Sequence, residues 1–301
     1  MSMLSRRTLL KGAAASLAMP GAALAQAAPL QSIPATGARL PAIGLGSWIT
    51  FNVGSDPVLL EECADVIAAF TEAGGGMIDS SPMYGSSQQT IGYGLQKLGY
   101  PGNVVAADKV WTTAGDEGPA QIAQSRAAWG VGRFDLLQVH NLVSWEAHLE
   151  TLFAMKEAGQ LAHVGLTTSH GRRHDLLERL MRDYPVDSVQ LTYNLADREA
   201  EDRLLPLARE KGIAVIANRP FRRGALPQAL EGRPLPDIAA ELGVDTWPQL
   251  LLKFIISHPA LTVAIPATTK VAHVRQNKAA EDGPMPDDQM RRRIVSHFQD
   301  L

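Results

Sequence analysis

Cysteine is almost missing from this chain: Cys63 is the single one in 301 residues. One thiol cannot close an intramolecular disulfide, form a CxxC redox pair or build a thiolate metal cage, so cysteine chemistry is nearly excluded. Long blocks of one charge are missing too. The 28 Lys and Arg face 31 Asp and Glu, a formal net charge of −3, and that balance does not favour nucleic acid as a main partner. No GxGxxG follows a strand-like run, so any dinucleotide must be held without that turn. No Pro- or Ser-rich linker divides the chain. What is abundant is apolar: 46% of the residues are hydrophobic against 20% charged, which rules out disorder for most of the chain and allows a large core.

The first 25 residues read as an address. Ser5-Arg6-Arg7-Thr8-Leu9-Leu10-Lys11 precedes an alanine-rich apolar stretch that ends in Ala23-Leu24-Ala25, small residues suited to a signal peptidase. This is the pattern of a twin-arginine export signal. Gly12 to Ala25 is 14 residues, shorter than the roughly 20 a membrane-spanning helix needs, so no stable membrane anchor is expected. Cleavage would leave 276 residues with 25 basic against 31 acidic side chains, net charge −6. The expected partner is the twin-arginine translocation machinery, which carries folded proteins, and the expected location is the periplasm.

Eight short apolar runs follow: Ile43 to Trp48, Met77 to Ser80, Val104 to Val110, Asp135 to His140, His163 to Thr168, Ser188 to Tyr193, Ile213 to Asn218 and Leu261 to Pro266. Between them apolar residues recur every three or four positions, as in Leu59, Cys63, Val66, Ile67 and Phe70, the helical period. Continuously apolar strands fit a parallel sheet covered on both faces. Eight such units in about 250 residues specify a (β/α)8 TIM barrel, in the α/β class, better than an open doubly wound sheet. The expected organisation is a cleaved signal over 1–25, a lead-in over 26–39, the barrel over 40–283 and a C-terminal helix or tail over 284–301.

Chemistry in such a barrel sits where strands end and βα loops begin. Polar residues there are Asp79 and Tyr84, Lys109, His140, Thr167 and Thr168, Gln190, Asn218 and Arg219, and Thr268 to Lys270. Four of them form a proton donor on paper. A free phenol gives up its proton poorly at neutral pH, and an ammonium beside it favours the phenolate. Lys109 would supply that charge to Tyr84, Asp79 would hold the lysine protonated, and a neutral His140 would donate a hydrogen bond to a carbonyl oxygen. The spacing of His170 and His174 invites a metal reading, but no third ligand completes a known motif, and no metal is expected. Trp48, Trp111 and Trp145 follow strand ends and are candidates, with His170, for the wall of a substrate pocket.

At these residues a family resemblance becomes specific. Met77-Ile78-Asp79-Ser80-Ser81-Pro82-Met83-Tyr84-Gly85 resembles the aldo/keto reductase segment D-[TS]-[AS]-x-x-Y-G. Lys109 in Ala107-Asp108-Lys109-Val110, His140 at the end of Asp135 to His140, Val164-Gly165-Leu166-Thr167-Thr168, Gln190-Leu191-Thr192-Tyr193-Asn194 and Ile265-Pro266-Ala267-Thr268-Thr269-Lys270 with Asn277 follow in the family's order. The resemblance implies a nicotinamide cofactor, NADP(H) rather than NAD(H), and a small-molecule carbonyl substrate reduced with Tyr84 as acid. It implies Thr167, Thr168 and Gln190 on the carboxamide, and Asn218, Arg219, Phe221 and Arg222 along the ring and pyrophosphate. Thr268, Thr269, Lys270 and Asn277 would hold the adenosine end. Thr168 stands where the family usually has Asn, Asn218 where a stacking Tyr is common, and Gln88 where Glu is usual. Ala267 and His273 stand where many NADPH-specific members have Lys and Arg, leaving Lys270 and Arg275 for the 2′-phosphate. Two rivals are a nucleotide-binding sensor or regulatory subunit of the same fold, which an export signal and an intact tetrad disfavour, and an aldolase or isomerase using Lys109 as a Schiff-base amine, which Asp79 and Tyr84 disfavour.

Overall fold

The structure, a computed structural model, describes residues 30–34, 37 and 39–301. The expected export signal over 1–25 lies outside the described residues, as does part of the lead-in. The first described element is a small antiparallel pair, β1 (Gln31–Ser32) with β2 (Arg39–Leu40). Then strands and helices alternate: β3 (Leu45–Gly46), α1 (Pro57–Glu72), β4 (Gly76–Asp79), α2 (Ser87–Lys97), β5 (Val104–Val110), α3 (Gly118–Trp129), β6 (Phe134–His140), α4 (Trp145–Glu157), β7 (Leu161–Thr167) and α5 (His174–Asp183). The second half holds β8 (Ser188–Thr192), α6 (Leu204–Lys211), β9 (Ala214–Asn218), α7 (Ala225–Ala229), α8 (Ile238–Glu241), α9 (Trp247–Ile256), β10 (Val263–Ala264), α10 (Val271–Lys278) and α11 (Asp288–Gln299).

Strands β3 to β10 pair in sequence order and all in parallel. Parallel bridges Ile43–Ala264 and Gly46–Ala267 join the first strand to the last, closing the (β/α)8 barrel. Each of the eight apolar runs overlaps one strand, and β4, β6 and β7 begin one or two residues before their runs. The outer two are only two residues each, and at the seam between them Pro266 has no N–H to give. Bonds from Gly44 N to Ala264 O and from Gly46 N to Pro266 O, at 2.8 and 2.9 Å, carry the seam past those short strands.

Strand alternation sorts the side chains. Met77, Ala107, Leu136, Ile216, Val263 and Ile265 form one buried cluster with Leu40 of β2, against which Ile33 packs, so the hairpin plugs the barrel at the end where the strands begin. The other faces meet the helices. Helix α1 starts cleanly, because the Asp56 carboxylate accepts from Val58 N and Leu59 N at 2.9 and 3.2 Å and Pro57 opens the first turn. Its stripe of Cys63, Val66, Ile67 and Phe70 is then buried.

Backbone strain collects at the opposite end. Among the described residues ten non-glycine residues have positive φ, and all but Tyr100 lie in loops that follow strand C-termini, among them Ile49, Asn141, His170, Arg219 and Arg223. Strain of this kind persists where the surroundings over-determine it and marks candidate functional ends.

Candidate active site

Lys109 and Asp79 reach the barrel interior from adjacent strands and are both buried. Lys109 Nζ donates to Asp79 Oδ2 at 2.6 Å and to the Ser80 carbonyl at 2.7 Å. The other carboxylate oxygen accepts from Gln138 Nε2 at 3.2 Å and Gln190 Nε2 at 2.9 Å. Burial works hardest against the ammonium, yet Asp79 and then Tyr84 outweigh it, and Lys109 is held above the ordinary lysine value. Gly165 makes this convergence possible, since a Cβ there would lie 3.0 Å from Gln138 Cγ and crowd Ser188 Oγ more closely still.

Tyr84 lies on the loop between β4 and α2. Its ring centroid is 5.1 Å from Lys109 Nζ, and the His140 ring meets it edge-on with centroids 5.8 Å apart. The loop is clamped from the preceding βα loop: Asn52 Oδ1 accepts from Ser86 N at 2.9 Å, and Ser86 Oγ accepts from Gly54 N at 2.7 Å. Gly85 must be glycine in this turn, with φ +62° and the Asn52 amide where a Cβ would stand. The Tyr84 phenol corrects one expectation. Burial raises it, Lys109 lowers it and Asp79 raises it again, and the net direction is up from the ordinary tyrosine value. The ammonium therefore offsets desolvation rather than generating a standing phenolate, and Tyr84 rests protonated at neutral pH.

His140, at the end of β6, is neutral: burial first and Lys109 second push it down to about 3. Its Nδ1 lies 2.8 Å from Ser81 Oγ. Asp79, Tyr84, Lys109 and His140 thus form one connected group at the C-terminal end of the barrel. Gln138 and Ser81 belong to it as well and were not singled out from sequence. Gln138 carried a signal, because it sits two residues before His140 and so shares its inward face.

Around this group the mouth is polar. Thr167 Oγ1 donates to Gln190 Oε1 at 3.2 Å, Thr192 Oγ1 to Asn218 Oδ1 at 2.8 Å, and Asn218 Nδ2 to the Thr168 carbonyl at 2.8 Å. Arg219 NH1 donates to His170 Nε2 at 2.6 Å, Arg222 is tied to Asp197, and the Arg223 guanidinium stacks 4.1 Å from the Trp48 ring centroid. Thr168 Oγ1 and Arg219 Nε are buried without a partner among the described residues. Phe221 packs against the main core. Thr268 is buried, its hydroxyl accepting from Lys270 N at 3.1 Å at the start of α10 and contacting His273 Nδ1, with Thr269 and Lys270 exposed and Asn277 buried in that helix.

Some candidates stand apart from the tetrad. Trp145 packs on Tyr184 in the outer helix layer, with centroids 5.4 Å apart, whereas Trp111 is 40% exposed after β5. Gln88 turns inward to Asp108 and Ser125, at 2.8 Å each. Among the described residues no group of three or more His, Cys, Asp or Glu is arranged to hold a metal ion, and no helix is long and apolar enough to cross a membrane.

Comparison with known proteins matches this architecture. Uncharacterized oxidoreductase C215.11c of Schizosaccharomyces pombe is 31% identical over 163 residues, 53% of this chain and 51% of its own. Aldo-keto reductase YhdN of Bacillus subtilis is 27% identical over 216 residues, 65% of this chain and 62% of its own. The matched stretches therefore span between half and two thirds of these curated relatives. The crystal structure of an aldo/keto reductase from Klebsiella pneumoniae in complex with NADP and acetate shares the fold, with a TM-score of 0.75 at 23% identity over 89% of this chain and 95% of that one. The family model for the aldo/keto reductase family matches residues 42–295, and the chain belongs to that family.

Proposed function

We propose that this protein is an NAD(P)H-dependent oxidoreductase that reduces an aldehyde or ketone to an alcohol, with Tyr84 as the proton donor. The observation that carries this reading is the buried Lys109–Asp79 pair, 2.6 Å apart, packed against the Tyr84 ring beside a neutral His140. A proton donor must hold its proton until the substrate needs it, and the raised Tyr84 does so. As negative charge develops on the carbonyl oxygen, the Lys109 ammonium favours transfer of the phenolic proton, and an imidazole N–H of His140 orients the same oxygen.

A nicotinamide cofactor fits the residues at the mouth. Thr168 Oγ1 and Arg219 Nε are buried polar atoms with no partner among the described residues, as expected of groups whose partner is a ligand. Thr167, Thr168 and Gln190 would hold the carboxamide, although Gln190 already donates one amide N–H to Asp79 and accepts from Thr167 Oγ1 at its carbonyl, which leaves its second N–H to offer. Asn218, Arg219, Phe221 and Arg222 would line the ring and pyrophosphate, and Thr268, Thr269, Lys270 and Asn277 the adenosine end. NADP(H) is favoured over NAD(H), with Lys270 and Arg275 as the cations for a 2′-phosphate. When bound, the reduced nicotinamide supplies a hydride to the carbonyl carbon. Trp48, Trp111 and His170 are candidates for the substrate wall, and Trp145 is the weakest because of its contact with Tyr184.

The reading includes export. Arg6-Arg7 and the small residues up to Ala25 support twin-arginine export to the periplasm, with the signal removed on arrival.

Tyr84→Phe tests the central assignment. It should cut carbonyl reduction by about 100-fold or more while cofactor binding, followed by fluorescence titration, stays intact. Undiminished turnover in that variant overturns Tyr84 as the acid.

A further inference from the structure

We propose that Ser81 is a positioning residue that sets the tautomer of His140: its hydroxyl donates to Nδ1, so the imidazole proton sits on Nε2, available to a carbonyl oxygen. The argument is one of hydrogen-bond counting. A serine hydroxyl has one proton and two lone pairs, and a neutral imidazole has one N–H and one bare nitrogen. Ser81 is fully buried. Its Oγ lies 2.8 Å from His140 Nδ1 and accepts from Met83 N at 3.2 Å.

Two arrangements share those contacts. If His140 Nδ1 carried the proton, Ser81 would accept from both the imidazole and Met83. Its own proton would then be buried with no acceptor among the described residues, an arrangement proteins avoid. If Ser81 donates to Nδ1, it accepts only from Met83 and every group is satisfied. Nε2 then bears the proton and has no protein partner among the described residues, which leaves it available to a ligand. The depressed His140, which keeps the ring neutral, is consistent with a tautomer question rather than a charge question. Deciding which ring nitrogen carries the proton through a partner on the other is a known way of tuning histidine.

The same serine also ties the imidazole to the acid. Its carbonyl accepts from Tyr84 N at 3.0 Å and its hydroxyl from Met83 N, so one residue links the turn that carries the phenol to the ring that orients the substrate. The catalytic consequence rests on the reductase reading above, whereas the tautomer does not.

Nitrogen-15 NMR of the histidine-labelled full chain reads the tautomer directly, with His140 assigned by loss of its signals in His140→Gln. The expected result at neutral pH is a protonated Nε2 and a bare Nδ1. In Ser81→Ala that pattern should give way to a mixture or to Nδ1–H, and in Ser81→Thr it should return. In parallel, kcat for carbonyl reduction should fall about tenfold in Ser81→Ala with cofactor affinity unchanged, and Ser81→Thr should recover most of it. A purely structural serine would not move the nitrogen shifts. A proton on Nδ1 in the parent protein, or a Ser81→Ala variant with unaltered tautomer and kcat, overturns the proposal. If Ser81→Ala fails to fold, the parent spectrum and Ser81→Thr still decide the tautomer. Absence of nucleotide-dependent carbonyl reduction in the parent protein would instead sink the reductase reading, and full activity in Tyr84→Phe would remove only Tyr84 as the acid; either result leaves the tautomer assignment standing.

Discussion

Asp108 and Lys109 are neighbours on β5, but strand alternation sends them to opposite faces, and the two buried charges meet different partners. Lys109 finds a carboxylate. Asp108 finds only the Gln88 amide at 2.8 Å and the Lys109 backbone N–H at 2.7 Å, and burial, the largest influence, raises it to about 7. A carboxyl whose folded pKa exceeds its unfolded value binds its proton more tightly when folded. Its contribution to stability is therefore complete below the unfolded value of 3.8 and is lost as pH rises to about 7. Asp108→Asn removes that titration. Relative to the parent, the Asn variant should gain about 3 kcal/mol of stability between about pH 4.5 and about pH 8, read from urea midpoints at the two pH values. A pH-independent difference would mean that Asp108 stays ionised throughout. At this scale the tetrad was legible in the sequence because Asp79, Lys109 and His140 are polar residues ending apolar strands, where no core use accounts for them. Ser81 was not, since two consecutive serines before a proline read as an ordinary turn. The upward direction of Tyr84 was not legible either, because spacing reveals a neighbouring charge but not the desolvation that opposes it.

Helix α2 shows how an element carries information that its own propensities contradict. Gly92 sits in its interior, where glycine costs about 1 kcal/mol relative to alanine. The reason is a close approach: a Cβ at Gly92 would drive into the backbone carbonyl of Ala128 at the end of α3. A Cβ at Gly94 would lie 2.6 Å from the Ile67 side-chain tip and 3.4 Å from the Ala64 Cα, and a side-chain tip can shift where a carbonyl in a helix cannot. Gly92→Ala should therefore destabilise by about 1–3 kcal/mol although it improves helix propensity, and Gly94→Ala should cost less. Thermal melts of the two variants check both the sign and the order, and a stabilised Gly92→Ala would show that α2 and α3 separate freely. Helix spacing and strand position were readable element by element from the apolar pattern, and Val104–Val110 emerged as read. The shortness of β3 and β10 was not, because it depends on how the barrel closes. The Asn52 clamp on Ser86 escaped for the same reason, since it joins two loops that sequence leaves 34 residues apart.

At the scale of the whole molecule, the barrel has two unlike ends. A hairpin with Leu40 and Ile33 seals one end with apolar side chains, while the other concentrates the strained βα loops, the tetrad and the unpartnered Thr168 and Arg219 atoms. The proposed nucleotide would touch residues from Thr167 to Asn277, contributed by the last four strands and the helix after them. It should therefore stabilise the assembled barrel as a unit, by about 2.7 kcal/mol at a hundredfold excess over its dissociation constant. This bears on the proposed export, because the twin-arginine route carries a finished fold and a reduced nucleotide should be scarce on the far side of the membrane. A barrel loaded in the cytoplasm and crossing intact resolves that conflict. The expected observation is a native mass spectrum of protein released from the periplasm showing a chain that begins at Gln26 with one nicotinamide nucleotide attached. Replacing both Arg6 and Arg7 with lysine should leave the nucleotide-bearing protein in the cytoplasm with its first 25 residues still in place. An empty chain in the periplasm that binds nucleotide only weakly would break the link between loading and export, an uncleaved chain there would overturn the cleavage after Ala25, and undiminished export of the lysine variant would break the signal assignment itself.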